Sequence, residues 1–208
     1  MLRRSLIGLA AALMWPALMC PGLASAQEAP ALPRVGRETA AGRIVIEVND
    51  RAAPITGGNF LAYVDQHRLD RTSFYRAMKS SPQTGLVQGG TNNDPARILA
   101  PIAHEPTTET GLSHVDGAVA MARYAPGTAT GDFFIVLGDT PSYDAGRPSS
   151  IDADGFAVFG KVVEGMDVAR AILAAPTSPT EGEGFMRGQM LEPRIAIVSA
   201  SRETPPNP

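Results

Sequence analysis

Short apolar runs closed off by glycine or proline recur along this chain, and that punctuation restricts it to a fold built of short strands. Arg43–Val48 alternates, with Ile44, Ile46 and Val48 on one face of a half-buried strand. Ser73–Arg76, Gly85–Gln88, Ala118–Met121, Phe133–Leu137 and Phe156–Val163 follow as further strands, and Ile195 and Ile197 alternate with Arg194 and Ala196 in a last one. Phe133–Leu137 is apolar on both faces, as expected for a strand deep in a small barrel. Two segments carry helical spacing. Thr56 is placed to cap a helix carrying Phe60, Leu61 and Val64, and Met166–Ala174 carries Ala169, Ile172 and Leu173. With 44% hydrophobic residues there is enough apolar material for one sizeable core, and no repeat, coiled coil or second domain is visible. The fold class read from this pattern is mainly β, a barrel or a sandwich.

The two ends stand apart from that pattern. Arg3-Arg4, the apolar run Leu6–Met19 and the small residues Ala24-Ser25-Ala26 make residues 1–26 a signal peptide cleaved before Gln27. Pro16 and the shortness of the run argue against a membrane anchor, and Met19 is too large for the residue that precedes a lipidated cysteine at Cys20. Cleavage removes the only cysteine and the only tryptophan, so the mature chain has no disulfide. It also removes two arginines and no acid, which moves the net charge from −3 to −5. With no basic stripe, nucleic acid is not an expected partner. Residues 27–40, with Pro30 and Pro33, read as a flexible linker; 41–201 form the domain, and 202–208, with three prolines, read as a disordered tail.

The stretch Thr72–Gly90 carries a family resemblance. Phe74, Arg76 and Gln88-Gly89-Gly90 resemble the pattern of cyclophilins, the peptidyl-prolyl cis/trans isomerases, and so, in the family's order, do Val119–Arg123, Asp132–Ile135 and Val158–Met166. The resemblance spans roughly Ala41 to Ala200 and implies a closed eight-stranded antiparallel barrel capped by two helices. It implies rotation about Xaa-Pro bonds with no cofactor and no metal. By the same resemblance Arg76 is the catalytic residue, and the substrate-binding set is Gln88, Leu86, Phe134, Met121, Ala122, Arg123, Asp132, Tyr75 and Phe156. Phe134 is expected as the floor of a proline pocket and Leu86 as a wall. Met121 belongs either to the groove or to the barrel filling, and the backbone at Ala122-Arg123 is open to pairing with an extended peptide.

Several positions depart from the family. Gly85 stands where an aromatic is expected, Tyr75 replaces a histidine, Asp132 replaces an amide, and Ser142, beside Tyr143, occupies another aromatic position. Asp132 is expected either to hold Arg76 or to draw its charge away. The loop from Ala77 to Thr84 is longer than usual, and its Lys79–Thr84 part is a candidate to close over the pocket in place of the missing ring. His67, His104 and His114 lack ligand spacing and read as turn or surface residues; Asp152-x-Asp154-Gly155 starts like a calcium loop but lacks the later ligands. The reading is a monomeric peptidyl-prolyl isomerase, exported to the periplasm or secreted and free of the membrane after cleavage. Its partners are proline-containing, unfolded or partly folded exported proteins. The competing reading is a non-catalytic proline-peptide-binding module or chaperone on the same fold.

Overall fold

The computed structural model describes residues 30–148 and 152–203. Eight strands close into an antiparallel barrel: β1 (Arg34–Thr39), β2 (Gly42–Val48), β3 (Thr72–Lys79), β4 (Gly85–Gly90), β5 (Ala118–Met121), β6 (Phe133–Leu137), β7 (Ala157–Glu164) and β8 (Met190–Glu203). Around the barrel the order is β1-β2-β7-β5-β6-β4-β3-β8. Closure leaves no strand edge unpaired. Among the described residues three α-helices accompany it: α1 (Pro54–Asp65), the single turn α2 (Thr107–Thr110), which the sequence pattern did not suggest, and α3 (Met166–Ala174).

Strand alternation divides the apolar residues into two clusters. Ile44, Ile46, Phe74, Val87, Val119, Phe133, Ile135 and Phe159 fill the interior together with Phe60 and Val64 of α1 and Ile172 and Leu173 of α3. Leu86, Ala118, Ala120, Phe134, Val136 and Val158 form a second cluster on the outer face, with Tyr143. All of Phe133–Leu137 is buried because alternate residues of β6 serve the two clusters.

Three expectations need correction here. Arg34–Thr39 is no linker; it pairs with both β2 and β8. Its inward positions are Val35 and the fully buried Arg37, so the apolar alternation that reveals a strand is missing. At the other end β8 runs to Glu203, which takes residues 202 and 203 out of the tail. Residues 1–26, expected to be a signal peptide, and residues 204–208 lie outside the described residues. Thr56 also does not cap α1. The helix starts with Pro54 in its first turn, and its free N–H groups are met from outside by Glu105, which accepts from Ile55 N (3.0 Å), Thr56 N (2.6 Å) and Thr56 Oγ1 (2.6 Å). A carboxylate there also complements the positive end of the helix dipole.

Candidate active site

A bulge in β3 makes the site. Phe74 pairs with Gly89 and Arg76 with Gln88, so Tyr75 is the extra residue. Phe74 and Ala77 belong to the interior cluster, whereas Tyr75 and Arg76 both line the outer groove. A regular strand would send one of those two inward; the bulge re-aims it. Register then sets a row across four strands: Arg76 opposite Gln88, Gln88 opposite Phe134, and Phe134 opposite Ala120. Donor, orienting amide and apolar floor are therefore placed by sheet geometry alone.

The groove encloses about 350 Å³. Its floor is Phe134, with Phe156 edge-on at 5.4 Å and Tyr143 at 6.0 Å; Leu86 and Met78 complete that side. Such edge-to-face packing builds an apolar floor. Arg76 forms the polar side. Its Nη1 donates to Gln88 Oε1 at 2.9 Å, and Nε and Nη2 both donate to Gln189 Oε1, at 2.9 and 2.8 Å. Gln88 in turn donates through Nε2 to the Tyr75 hydroxyl at 2.7 Å. Arg76 is only 8% exposed, and burial lowers its pKa while Tyr143 and Tyr75 oppose that shift; a guanidinium nonetheless remains a cation. Three of its five N–H donors are held by the two glutamines, which leaves two for an incoming group.

The sequence-derived residues fall into two groups. Arg76, Gln88, Leu86, Phe134, Tyr75, Asp132, Ala122, Arg123 and Phe156 all line the groove. Met121 does not; it is buried in the barrel interior, so of its two possible places it occupies the core. Asp132 is in the groove but does not pair with Arg76. It accepts from Asn92 N at 2.7 Å and from Thr91 Oγ1 at 3.4 Å. Burial raises its pKa against those bonds and one from Tyr75. Burial, with the charge of Asp132, likewise pushes the Tyr75 phenol up. Arg123 reaches Asp152 at 3.0 Å and lies 5.1 Å from the Phe156 ring centroid, so it braces the groove wall and Asp152 serves as an ion-pair partner.

The wall expected from the Lys79–Thr84 loop is absent. That loop folds on itself, with Ser80 N and Ser81 N both donating to Thr84 O, and Lys79 Nζ reaches the carbonyls of Ala174 and Ala175. None of Lys79–Thr84 lines the groove. Nor is there room for a ring at Gly85. It has φ +150°, and a Cβ there would fall on the carbonyl oxygen of Met78. The aromatic comes instead from the segment before β8. Phe185 is 78% exposed, lines the groove beside Met186, and sets its ring centroid 5.4 Å from the Arg76 guanidinium carbon. Gln189 and Phe185 were not expected from the sequence. The available signal was an apolar pair, Phe185-Met186, stranded between Glu183-Gly184 and Arg187-Gly188 in a polar loop.

His114 also differs from its expected surface position. It is 1% exposed and lies behind the floor, stacked on Phe134 at 6.0 Å, with Nδ1 2.7 Å from Asp144. Burial lowers its pKa against the pull of that carboxylate.

Comparison with known proteins agrees with this fold. Residues 34–200 match the family described as cyclophilin type peptidyl-prolyl cis-trans isomerase/CLD. The chain belongs to the cyclophilin family. A peptidyl-prolyl cis-trans isomerase of Acinetobacter baylyi is 37% identical over 166 residues, covering 78% of this chain and 83% of the relative. One from Streptomyces antibioticus is 39% identical over 150 residues, covering 69% of this chain and 85% of the relative. A cyclophilin-type isomerase of Cryptosporidium parvum shares the fold, with a TM-score of 0.63 at 19% identity over 85% of this chain and 99% of that one. The same protein in the presence of the dipeptide Ala-Pro gives 0.61, over 82% and 99%. The family match begins at Arg34, the first residue of β1, so the cyclophilin domain includes the strand taken as linker.

Proposed function

We propose that this cyclophilin isomerises Xaa-Pro bonds in exported polypeptides and that Arg76 is its catalytic residue. The peptide bond resists rotation by about 18–20 kcal/mol because the nitrogen lone pair is conjugated with the carbonyl. Twisting localises that pair on the imide nitrogen, which becomes pyramidal and a better acceptor. A donor fixed beside it favours the twisted state over either planar one. The observation that carries this reading is the Arg76 guanidinium, locked by Gln88 and Gln189 with donors still uncommitted, beside an apolar seat formed by Phe134, Leu86 and Tyr143. A proline ring in that seat lies next to the cation. Phe185, across the groove, supplies apolar contact to the flanking chain. The backbone at Ala122-Arg123 is placed to pair with an extended substrate.

A charge-assisted hydrogen bond contributes on the order of 1.5–3 kcal/mol, which corresponds to roughly ten- to 150-fold in rate. A protease-coupled assay on a short Xaa-Pro peptide tests the reading. The purified chain is expected to accelerate isomerisation, and Arg76→Ala to lose at least about tenfold in kcat/KM with its circular dichroism unchanged. No acceleration by the unaltered chain, with peptide binding retained, favours the non-catalytic peptide-binding module. The assignment to exported clients rests on Arg3-Arg4, the apolar run and Ala24-Ser25-Ala26. Intact mass of the periplasmic or secreted protein is expected to begin at Gln27, and a mass retaining residues 1–26 overturns it.

A further inference from the structure

A second cleft, of about 400 Å³, opens beside the first, and Asn92 lines both. It lies where the start of β3 (Thr72, Ser73) and the end of β4 (Gly90) meet Arg194 and Ala196 of β8. Its character is opposite to that of the proline seat. Three arginines, Arg71, Arg97 and Arg194, face it, and its single carboxylate, Asp94, is paired with Arg97 at 3.5 Å. Arg97 is further tied by Nη1 to the carbonyls of Arg68 and Asp70, so it is a fixed part of the wall. Arg71 and Arg194 are exposed and form no ion pair among the described residues. The chain as a whole carries −3, so two uncompensated cations in one cleft run against its own charge balance. The neutral polar lining adds the Ser73 hydroxyl and the Asn92 amide as donors, whereas the hydroxyls of Thr72 and Thr91 already donate to Leu69 O and Asp132.

We propose that this cleft is a subsite for an acidic side chain of the client polypeptide, carried on the segment that runs past Asn92 after leaving the proline seat. The inference rests on the isomerase reading of the groove and adds a sequence preference to it. Continuity through Asn92 selects a polypeptide as the source of the carboxylate, because one extended chain lying in the groove enters the cleft. Arg71 and Arg194 then act as selectivity residues: they bind the acidic flank in planar and twisted states alike and have no part in rotation.

The test uses twin peptides that differ only by Glu or Gln, with that residue moved in turn through about four positions on either side of Xaa-Pro, some 13 Å of extended chain. For at least one position, the Glu twin is expected to show about two- to tenfold higher kcat/KM at low salt, the size of one or two exposed ion pairs, and to lose that advantage as salt rises. In the double variant Arg71→Gln/Arg194→Gln the preference is expected to vanish, while turnover of the Gln twin stays unchanged. Equal treatment of all twins by the unaltered protein overturns the proposal, as does a preference that survives in the double variant. Turnover of the Gln twin reports on the isomerase reading by itself. If it is absent, the Kd values of the twins decide the cleft separately. Inorganic phosphate that raises Tm of the unaltered protein alone, without any twin preference, marks a small-anion site and also overturns the proposal.

Discussion

Arg37 and Arg76 are both buried, and they show how differently the two faces of this barrel treat a charge. Arg37 points into the interior, fully buried, with its guanidinium carbon 3.9 Å from the Phe133 centroid and 4.7 Å from that of Phe60. None of its side-chain nitrogens has a hydrogen-bond partner, and burial pulls its pKa down to about 9. Arg76 sits on the outer face with three bonds to two glutamines and an open groove before it. Burial therefore does not mark the arginine proposed to be catalytic. Oriented donors and access do. Arg37 has two aromatic faces and no route for a substrate; Arg76 has both a fixed direction and unused donors.

The largest effect we expect concerns the wall that the groove lacks on the β4 side. Gly85→Phe should destabilise the protein by more than about 3 kcal/mol, because the new Cβ meets the Met78 carbonyl and the backbone must leave a conformation that suits glycine. A urea or thermal melt checks this; a stable variant with faster peptide turnover would mean the β4 side can carry a ring after all. Arg37→Met sharpens the comparison from the interior. Removing an unpartnered buried charge relieves its desolvation, while the two ring contacts that are lost return part of the gain. The net expectation is about 1 kcal/mol of added stability, or about 2–4 °C in Tm, with isomerase activity unchanged. A fall in Tm would show that Phe60 and Phe133 compensate the charge fully.

Phe185→Ala addresses the groove from its other side. The ring is 78% exposed, so the fold loses nothing, but kcat/KM should drop about three- to tenfold on peptides with an apolar residue beside the proline. Equal kinetics would leave Phe185 as a bystander. The smallest effect is pH dependence. His114 has a lowered folded pKa because burial disfavours its charge, so below about 6.5 the unfolded chain binds more protons than the folded one. Stability from this group is complete at higher pH and falls as pH drops through that window. Asp144 adds a second loss further down. Burial pushes its pKa up, but bonds from Ser113 and His114 outweigh this and hold the carboxyl below its ordinary value. Urea midpoints at pH about 7.5 and about 5 should differ less in His114→Asn than in the unaltered protein. An identical difference in both would remove His114 from the account.

Much of this was legible in the sequence, for identifiable reasons. β5 and β6 and α3 were found with their ends because local periodicity and Gly/Pro punctuation agree there. β1 was missed because its second inward residue is an arginine, and strand periodicity is read from apolar residues. The row from Arg76 to Gln88 to Phe134 was legible through family resemblance; the bulge at Tyr75 that turns Arg76 outward was not, since register belongs to strand pairing. Gln189 lies 113 residues from Arg76, and no local pattern links them. His114 looked like a surface residue because its partner Asp144 lies 30 positions away. What the sequence hides is contact across the barrel, which is where the site's orientation comes from.

The central claim is that the outer, glutamine-held arginine performs the rotation and the interior one does not. Exchange NMR on a single Xaa-Pro peptide at equilibrium tests it most directly, with the unaltered chain, Arg37→Met and Arg76→Met measured side by side. The account predicts cis–trans exchange peaks with the unaltered protein and with Arg37→Met, and their loss, by at least about tenfold in rate, with Arg76→Met. Exchange that persists undiminished in folded Arg76→Met, or that is lost equally in folded Arg37→Met, would contradict it.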